Sequence, residues 1–150
     1  FKSALDSGKL DLRPIAIDRD NPKAALKQVA SKGDELLKDN VWVLIFPEGT
    51  RVPHGQIGKF SRSGSALAVN AGLPVLPIAH NAGEFWPKQG WAKYPGTIQV
   101  VIGPVMHAEG EGPRAIAELN ERAYAWVAQT QQQISGVAPQ AVSESASDIA

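Results

Sequence analysis

The chain has 150 residues, 43% of them hydrophobic and 20% charged, with 15 Lys+Arg against 15 Asp+Glu and so no formal net charge. That length holds one ordinary domain with a core of its own, and the composition excludes wholesale disorder and a broad polyanion-binding surface, so nucleic acid is not an expected partner. The absence of cysteine removes disulfides, thiolate metal sites and a cysteine nucleophile.

No apolar run approaches the roughly 20 residues that span a bilayer, and the opening "FKSALDSGKLDL" lacks the pattern of a signal peptide. In chain order, "RPIAIDR" (13–19) alternates Ile15 and Ile17 with other residues and runs into "DRDNP", which predicts a short strand ending in a turn. Asn21 and Pro22 then open a helix as cap and first helical residue, and Ala25, Leu26, Val29, Gly33, Leu36 and Leu37 carry its apolar stripe to about Lys38. Gly33 is the weak point of that stripe.

"VWVLIF" (41–46) is a continuous apolar run, too short for a buried helix and rich in β-branched and aromatic residues. It predicts a central strand buried on both faces, as in a parallel sheet. A glycine-containing loop follows to residue 60, then a helix from about Ser61 to Ala71 that Gly72 stops. "LPVLPIAH" predicts a strand whose Pro74 and Pro77 argue for strand ends or an edge. After an aromatic loop holding Phe85, Trp86, Trp91 and Tyr94 comes the strand "TIQVVIG" (97–103). The last predicted helix begins at Pro113 and faces its core with Ile116, Leu119, Ala123, Trp126 and Val127. Together these elements predict an α/β domain over 1–135, a layered and partly parallel sheet flanked by helices, followed by a disordered tail at 136–150.

In such sheets ligands bind beyond the carboxyl ends of the strands, where both "IDRD" and "PEGTR" fall. Gly49 allows close backbone approach with its N–H presented, Thr50 adds a hydroxyl, and Arg51 offers a planar fork matched to phosphate or carboxylate. Glu48 fits beside them if it accepts from a substrate hydroxyl or positions Arg51. The same residues also read as an ordinary turn and a solvated arginine. Arg19 sits at the end of the earlier strand, so that two arginines would suit a dianionic phosphate, and Lys59 and Arg62 are candidates for the rim. "GQIGKFS" is no phosphate loop, since Pro53 and Phe60 stand where Gly and Ser or Thr are required, and no G-x-S-x-G elbow is present. Asp18 and Asp20 could chelate a divalent ion, or simply form an acidic turn before the helix. His54, His80 and His107 are followed five positions later by Lys59, Phe85 and Gly112, so none has a carboxylate at that spacing.

These motifs resemble the lysophosphatidic acid acyltransferase family of glycerophospholipid acyltransferases over about residues 13–104. "FPEGTR" (Phe46 to Arg51) matches the family's third block literally. "RPIAIDR" resembles its second block, keeping Ile15, Ile17, Asp18 and Arg19 and departing at Arg13 and Ala16. "KFSRSGSALAVNAGLPVLPIA" resembles the stretch leading to its fourth block. The resemblance implies transfer of a fatty acyl group from an acyl thioester to the 2-hydroxyl of 1-acylglycerol 3-phosphate, giving phosphatidic acid. It implies that Arg19 and Arg51 hold the phosphate and that Glu48 and Thr50 contact the glycerol; Gly49, by its backbone approach, and Lys59, at the rim, are expected to join the substrate site on the reading of the residues themselves.

In the family a histidine of a His-x-x-x-x-Asp block acts as general base, and that block precedes the second block. These 150 residues do not hold it. The expectation is therefore a carboxyl-terminal portion of an acyltransferase, with no catalytic base and no turnover of its own. The expected partners are a lysophospholipid acceptor, an acyl-coenzyme A or acyl carrier protein donor as co-substrate, and the cytoplasmic face of a membrane; no resident cofactor or metal is expected. Two other readings remain open: a non-catalytic phosphate- or phospholipid-binding module, and a metal-dependent glycosyltransferase using Asp18 and Asp20.

Overall fold

The computed structural model of the chain describes residue 15 and residues 22–87, 92–135 and 140–141. Its elements are α1 (Pro22–Lys38), β1 (Gln56–Ile57), α2 (Ser63–Ala71), β2 (Ile78–His80), α3 (Ala82–Phe85), β3 (Val100–Ile102), α4 (Gly112–Ser135) and β4 (Gln140–Ala141). The fold is α/β, as the alternation of periodicities predicts. The chain divides into two compact units, Phe1–Val43 and Leu44–Ala150.

In the first unit α1 matches the predicted span, and Gly33 is buried in it, in line with Val29, Leu36 and Leu37. Its end is a Schellman motif: the Asn40 N–H donates to the Leu37 carbonyl at 3.0 Å and the Val41 N–H to that of Leu36 at 2.9 Å, with Asn40 left-handed at φ 57°. Asparagine tolerates that conformation better than most residues with a Cβ. On the exposed face Lys32 pairs with Glu35 and Lys38 with Asp34, each at 2.6 Å. The predicted strand at 13–19, apart from the half-buried Ile15, lies outside the described residues.

The second unit is organised by α4. Ala115, Leu119, Ala123, Val127 and Thr130 recur every three or four residues and are all buried, Leu119 completely at 0% exposure. Against one stretch of this stripe pack Ala68 and Val69 of α2 and Met106; against the next lie Ile57 and Ala79. Ile116 and Trp126, predicted for the core face, pack partly buried at its edge. The end of α2 is a second Schellman motif, in which Gly72, left-handed at φ 65°, donates to the Val69 carbonyl at 3.2 Å and Leu73 to that of Ala68 at 2.9 Å.

The strand pairs are short. β1 and β4 run parallel, and β2 and β3 antiparallel with Ile78 opposite Ile102 and His80 opposite Val100. Val75 and Met106 continue the antiparallel pairing as an isolated bridge. Between that bridge and β2 the one strand has Leu76 and Pro77 while the other has Gly103, Pro104 and Val105, so an extra residue must be absorbed. Proline at 77 and 104 supplies no N–H to the ladder, which explains the break between that bridge and β2; β2 and β3, predicted over 73–80 and 97–103, are three residues each. At the other end Asn81, buried, accepts from the Gln99 N–H at 2.8 Å through its side chain. β4 falls inside the segment predicted as a disordered tail; the rest of 136–150 lies outside the described residues.

The prediction of a central strand at 41–46 is corrected. Among the described residues no strand pairs with it, and its side chains alternate between half-buried and exposed, with Trp42 at 83%, Leu44 at 71% and Phe46 at 71% exposure. An apolar run records that both faces suit burial and not whether neighbours are present to bury them. Within the second unit the covered side is explained by α2: a side chain at Gly64 would come within 3.3 Å of Ile45 Cδ1, so Ile45 already packs against the first turn of that helix.

Candidate substrate-binding site

The site is built where the apolar run ends. Pro47 and Glu48 occupy the corners of a turn that the Gly49 N–H closes by donating to the Phe46 carbonyl at 3.0 Å. Proline suits the first corner, and Gly49 follows at φ 68°, where a Cβ would be strained. Gly49 therefore contributes its conformation. Its N–H, expected to be presented to an anion, is spent on the turn.

A second connection brings the following loop back. The Ser61 N–H donates to the Pro47 carbonyl at 2.8 Å, and the Gly58 N–H donates to Glu48 Oε1 at 2.6 Å. Gly58 is buried, and a Cβ there would lie 3.0 Å from Val52 Cγ2 and 3.2 Å from Glu48 Oε1. The loop approaches this closely because residue 58 has no side chain. Glu48 thus has a structural task that the sequence alone did not suggest, pinning two loop segments ten residues apart. Removing the carboxylate leaves a buried N–H without its acceptor, a cost of about 1–3 kcal/mol. One carboxylate oxygen remains for other partners.

Between these segments lies an open cleft of about 560 Å³, lined by Pro47, Glu48, Gly49, Lys59, Phe60, Ser61 and Arg62. Phe60 forms its floor, held edge-on to the Tyr124 ring of α4 with centroids 5.2 Å apart. Beneath it Ser65 Oγ donates to Asn120 Oδ1 at 3.2 Å, tying α2 to α4. At the rim Ser61 Oγ accepts from the Ser63 N–H at 3.3 Å, while the N-cap residue of α2, Arg62, makes no side-chain capping bond. The remaining first-turn N–H groups of α2 have no acceptor within the helix. Lys59 and Arg62 are exposed cations on the cleft wall, and anions are favoured near a helix N-terminus.

The structure therefore brings together Glu48, Gly49, Lys59 and Arg62. Thr50 and Arg51 follow the turn, exposed, and are not among the residues lining the cleft. Arg19, Asp18 and Asp20 lie outside the described residues. Among the described residues no three His, Asp or Glu side chains are grouped to hold a metal ion, and no helix is long and apolar enough to cross a membrane. His80 is exposed, its Nδ1 accepting from the Ala82 N–H at 3.3 Å at the start of α3. What the sequence reading missed is the pairing of Glu48 with Gly58, whose only sequence signal is a second glycine directly before Lys59.

Comparisons with known proteins point in one direction. A family profile described as Acyltransferase matches residues 9–81. The 1-acyl-sn-glycerol-3-phosphate acyltransferase of Pseudomonas aeruginosa is 77% identical over 126 residues, which is 84% of this chain and 49% of that protein. The human 1-acyl-sn-glycerol-3-phosphate acyltransferase alpha is 33% identical over 109 residues, covering 72% of this chain and 38% of that protein. The crystal structure of the 1-acyl-sn-glycerophosphate (LPA) acyltransferase PlsC from Thermotoga maritima superposes with a TM-score of 0.61 at 28% identity, over 74% of this chain and 44% of that one. The chain thus spans half or less of the length of these relatives.

Proposed function

We propose, since this chain belongs to the lysophosphatidic acid acyltransferase family, that it forms the acceptor-binding part of an enzyme that acylates 1-acylglycerol 3-phosphate at its 2-hydroxyl. The observation that carries this reading is the placement of "FPEGTR": its Pro-Glu-Gly turn makes one wall of a cleft whose other wall presents Lys59 and Arg62. In the reaction the acceptor hydroxyl oxygen attacks the thioester carbonyl carbon, its proton passes to a base, and the carbon–sulfur bond breaks to release the thiol. The glycerol phosphate occupies the cleft, with its phosphate against Lys59 and Arg62 and within reach of Arg51; the resemblance gives Arg19 of the "IDR" motif a phosphate-binding role as well. The free oxygen of Glu48 accepts from the glycerol. The donor is acyl-coenzyme A or acyl carrier protein.

The base belongs to a His-x-x-x-x-Asp block, which these 150 residues do not hold. The chain by itself therefore binds the acceptor without turning it over. A purely phosphate-binding module would use the same cleft, and the difference between the two readings is whether activity appears once the block is supplied.

Titration with glycerol 3-phosphate, followed by amide shifts in a nuclear magnetic resonance spectrum, tests the binding. Shifts are expected at Gly49, Lys59 and Arg62, with none for glycerol. Equal responses to both compounds, or shifts confined to residues away from the cleft, would rule the cleft out as the phosphate site.

A further inference from the structure

The second unit carries a feature that acceptor binding does not use. From residue 85 to residue 108 the sequence has no Asp or Glu, although the whole chain is neutral; its cations in this stretch are Lys88 and Lys93. Residues 85 and 94 are held together, the Tyr94 N–H donating to the Phe85 carbonyl at 2.9 Å. The same stem is fixed below by α3, where the Trp86 N–H donates to the Ala82 carbonyl at 2.9 Å. The Phe85 ring occupies the space that a side chain at Gly96 would need, which locks the two limbs together.

This stem holds two large rings out into solvent. Trp86 is 58% exposed and Tyr94 57%, and Lys93 Nζ sits 4.3 Å from the centre of the Trp86 ring. A lysine over a tryptophan face keeps its ammonium at the height of the ring while both remain wet. Tryptophan, tyrosine and lysine held side by side, with the nearest carboxylate in sequence, Glu84, keeping its Oε1 buried, match the water–lipid boundary: the rings fit the headgroup level and the ammonium meets anionic headgroups. Protein interfaces also favour Trp and Tyr but are depleted in Lys, so it is Lys93 that favours the lipid headgroups over a polypeptide partner.

We propose that Trp86, Lys93 and Tyr94 form a docking point for an anionic lipid bilayer. It is independent of acyl transfer, so it stands or falls without the catalytic reading. Its position would hold the chain at the surface in which a lysophospholipid resides.

The test is co-sedimentation of the 150-residue chain with phosphatidylcholine vesicles, with and without a phosphatidylglycerol fraction. Binding is expected to the phosphatidylglycerol vesicles. Lys93→Glu should weaken it at least about five-fold, the order expected for a lysine beside an anionic surface. Trp86→Ala with Tyr94→Ala should abolish most of the remainder, and Trp86→Phe should retain part. Trp42→Ala, which removes an 83% exposed ring elsewhere, should change nothing. Circular dichroism identifies any variant that has not folded, and the Lys93→Glu and Trp86→Phe comparison then decides. Wild-type binding by Lys93→Glu and by the double variant would overturn the proposal. So would an equal loss on Trp42→Ala, or equal binding to vesicles lacking phosphatidylglycerol.

Discussion

Truncating Leu119 to alanine is expected to destabilise the chain by about 2–5 kcal/mol, the largest effect of any single core substitution. Leu119 is completely buried, and it stands where α2, Met106 and α4 converge. The loss has two sources: apolar atoms are returned to water on unfolding from a smaller side chain, and a cavity opens that neighbouring Ala68, Ala115 and Ala123 are too short to fill. Urea denaturation should show the midpoint falling with little change in slope. Val105→Ala, at a position 56% exposed, should stay within about 0.5 kcal/mol. If the two substitutions cost the same, the core is not organised around α4.

The second large effect concerns substrate. In a chain joined to a segment that supplies the His-x-x-x-x-Asp block, Arg51→Ala should raise the KM for the lysophospholipid by roughly ten- to a hundred-fold, the equivalent of a charge-assisted hydrogen bond worth about 1.5–3 kcal/mol. The kcat should change much less, because a grip on the phosphate acts on the ground state and the transition state alike. Arg51→Lys should recover part of the loss, since a point charge cannot reproduce the bidentate contact. Arg51 is exposed and does not line the cleft in the free chain, so its contribution requires the phosphate to bridge from the Lys59 and Arg62 wall. An unchanged KM with an unchanged fold would leave the phosphate to Lys59 and Arg62.

The helices were legible in the sequence because they are long and periodic. The stripe from Ala115 through Leu119 and Ala123 to Val127 repeats at helical spacing, and Gly72 announces the end of α2. The Asn40 cap of α1 was equally available and went unread, because asparagine is a weaker stop signal than glycine. The run at 41–46 was legible as apolar but not as lacking a strand partner among the described residues, since pairing depends on a neighbour that the run itself does not encode. Pro74 and Pro77 marked a strand end or edge in the sequence, although not where the extra residue opposite Leu76 and Pro77 would fall.

The literal "FPEGTR" falls at a cleft to which Glu48 and Gly49 contribute together with Lys59, while Thr50 and Arg51 stand outside its lining. The roles within it were less accessible. Gly49 spends its N–H inside the turn, and Glu48 holds Gly58, because backbone groups brought together by folding claim partners that a linear motif seems to leave available.

The most direct measurement of the central claim is acyl transfer to 1-acylglycerol 3-phosphate from an acyl thioester by two proteins: the 150-residue chain alone, and the same chain joined to the His-x-x-x-x-Asp segment of a full-length member of the family. No turnover by the first and clear turnover by the second is the predicted result. Comparable turnover by both, or none by a correctly folded joined protein that still binds glycerol 3-phosphate, would contradict it.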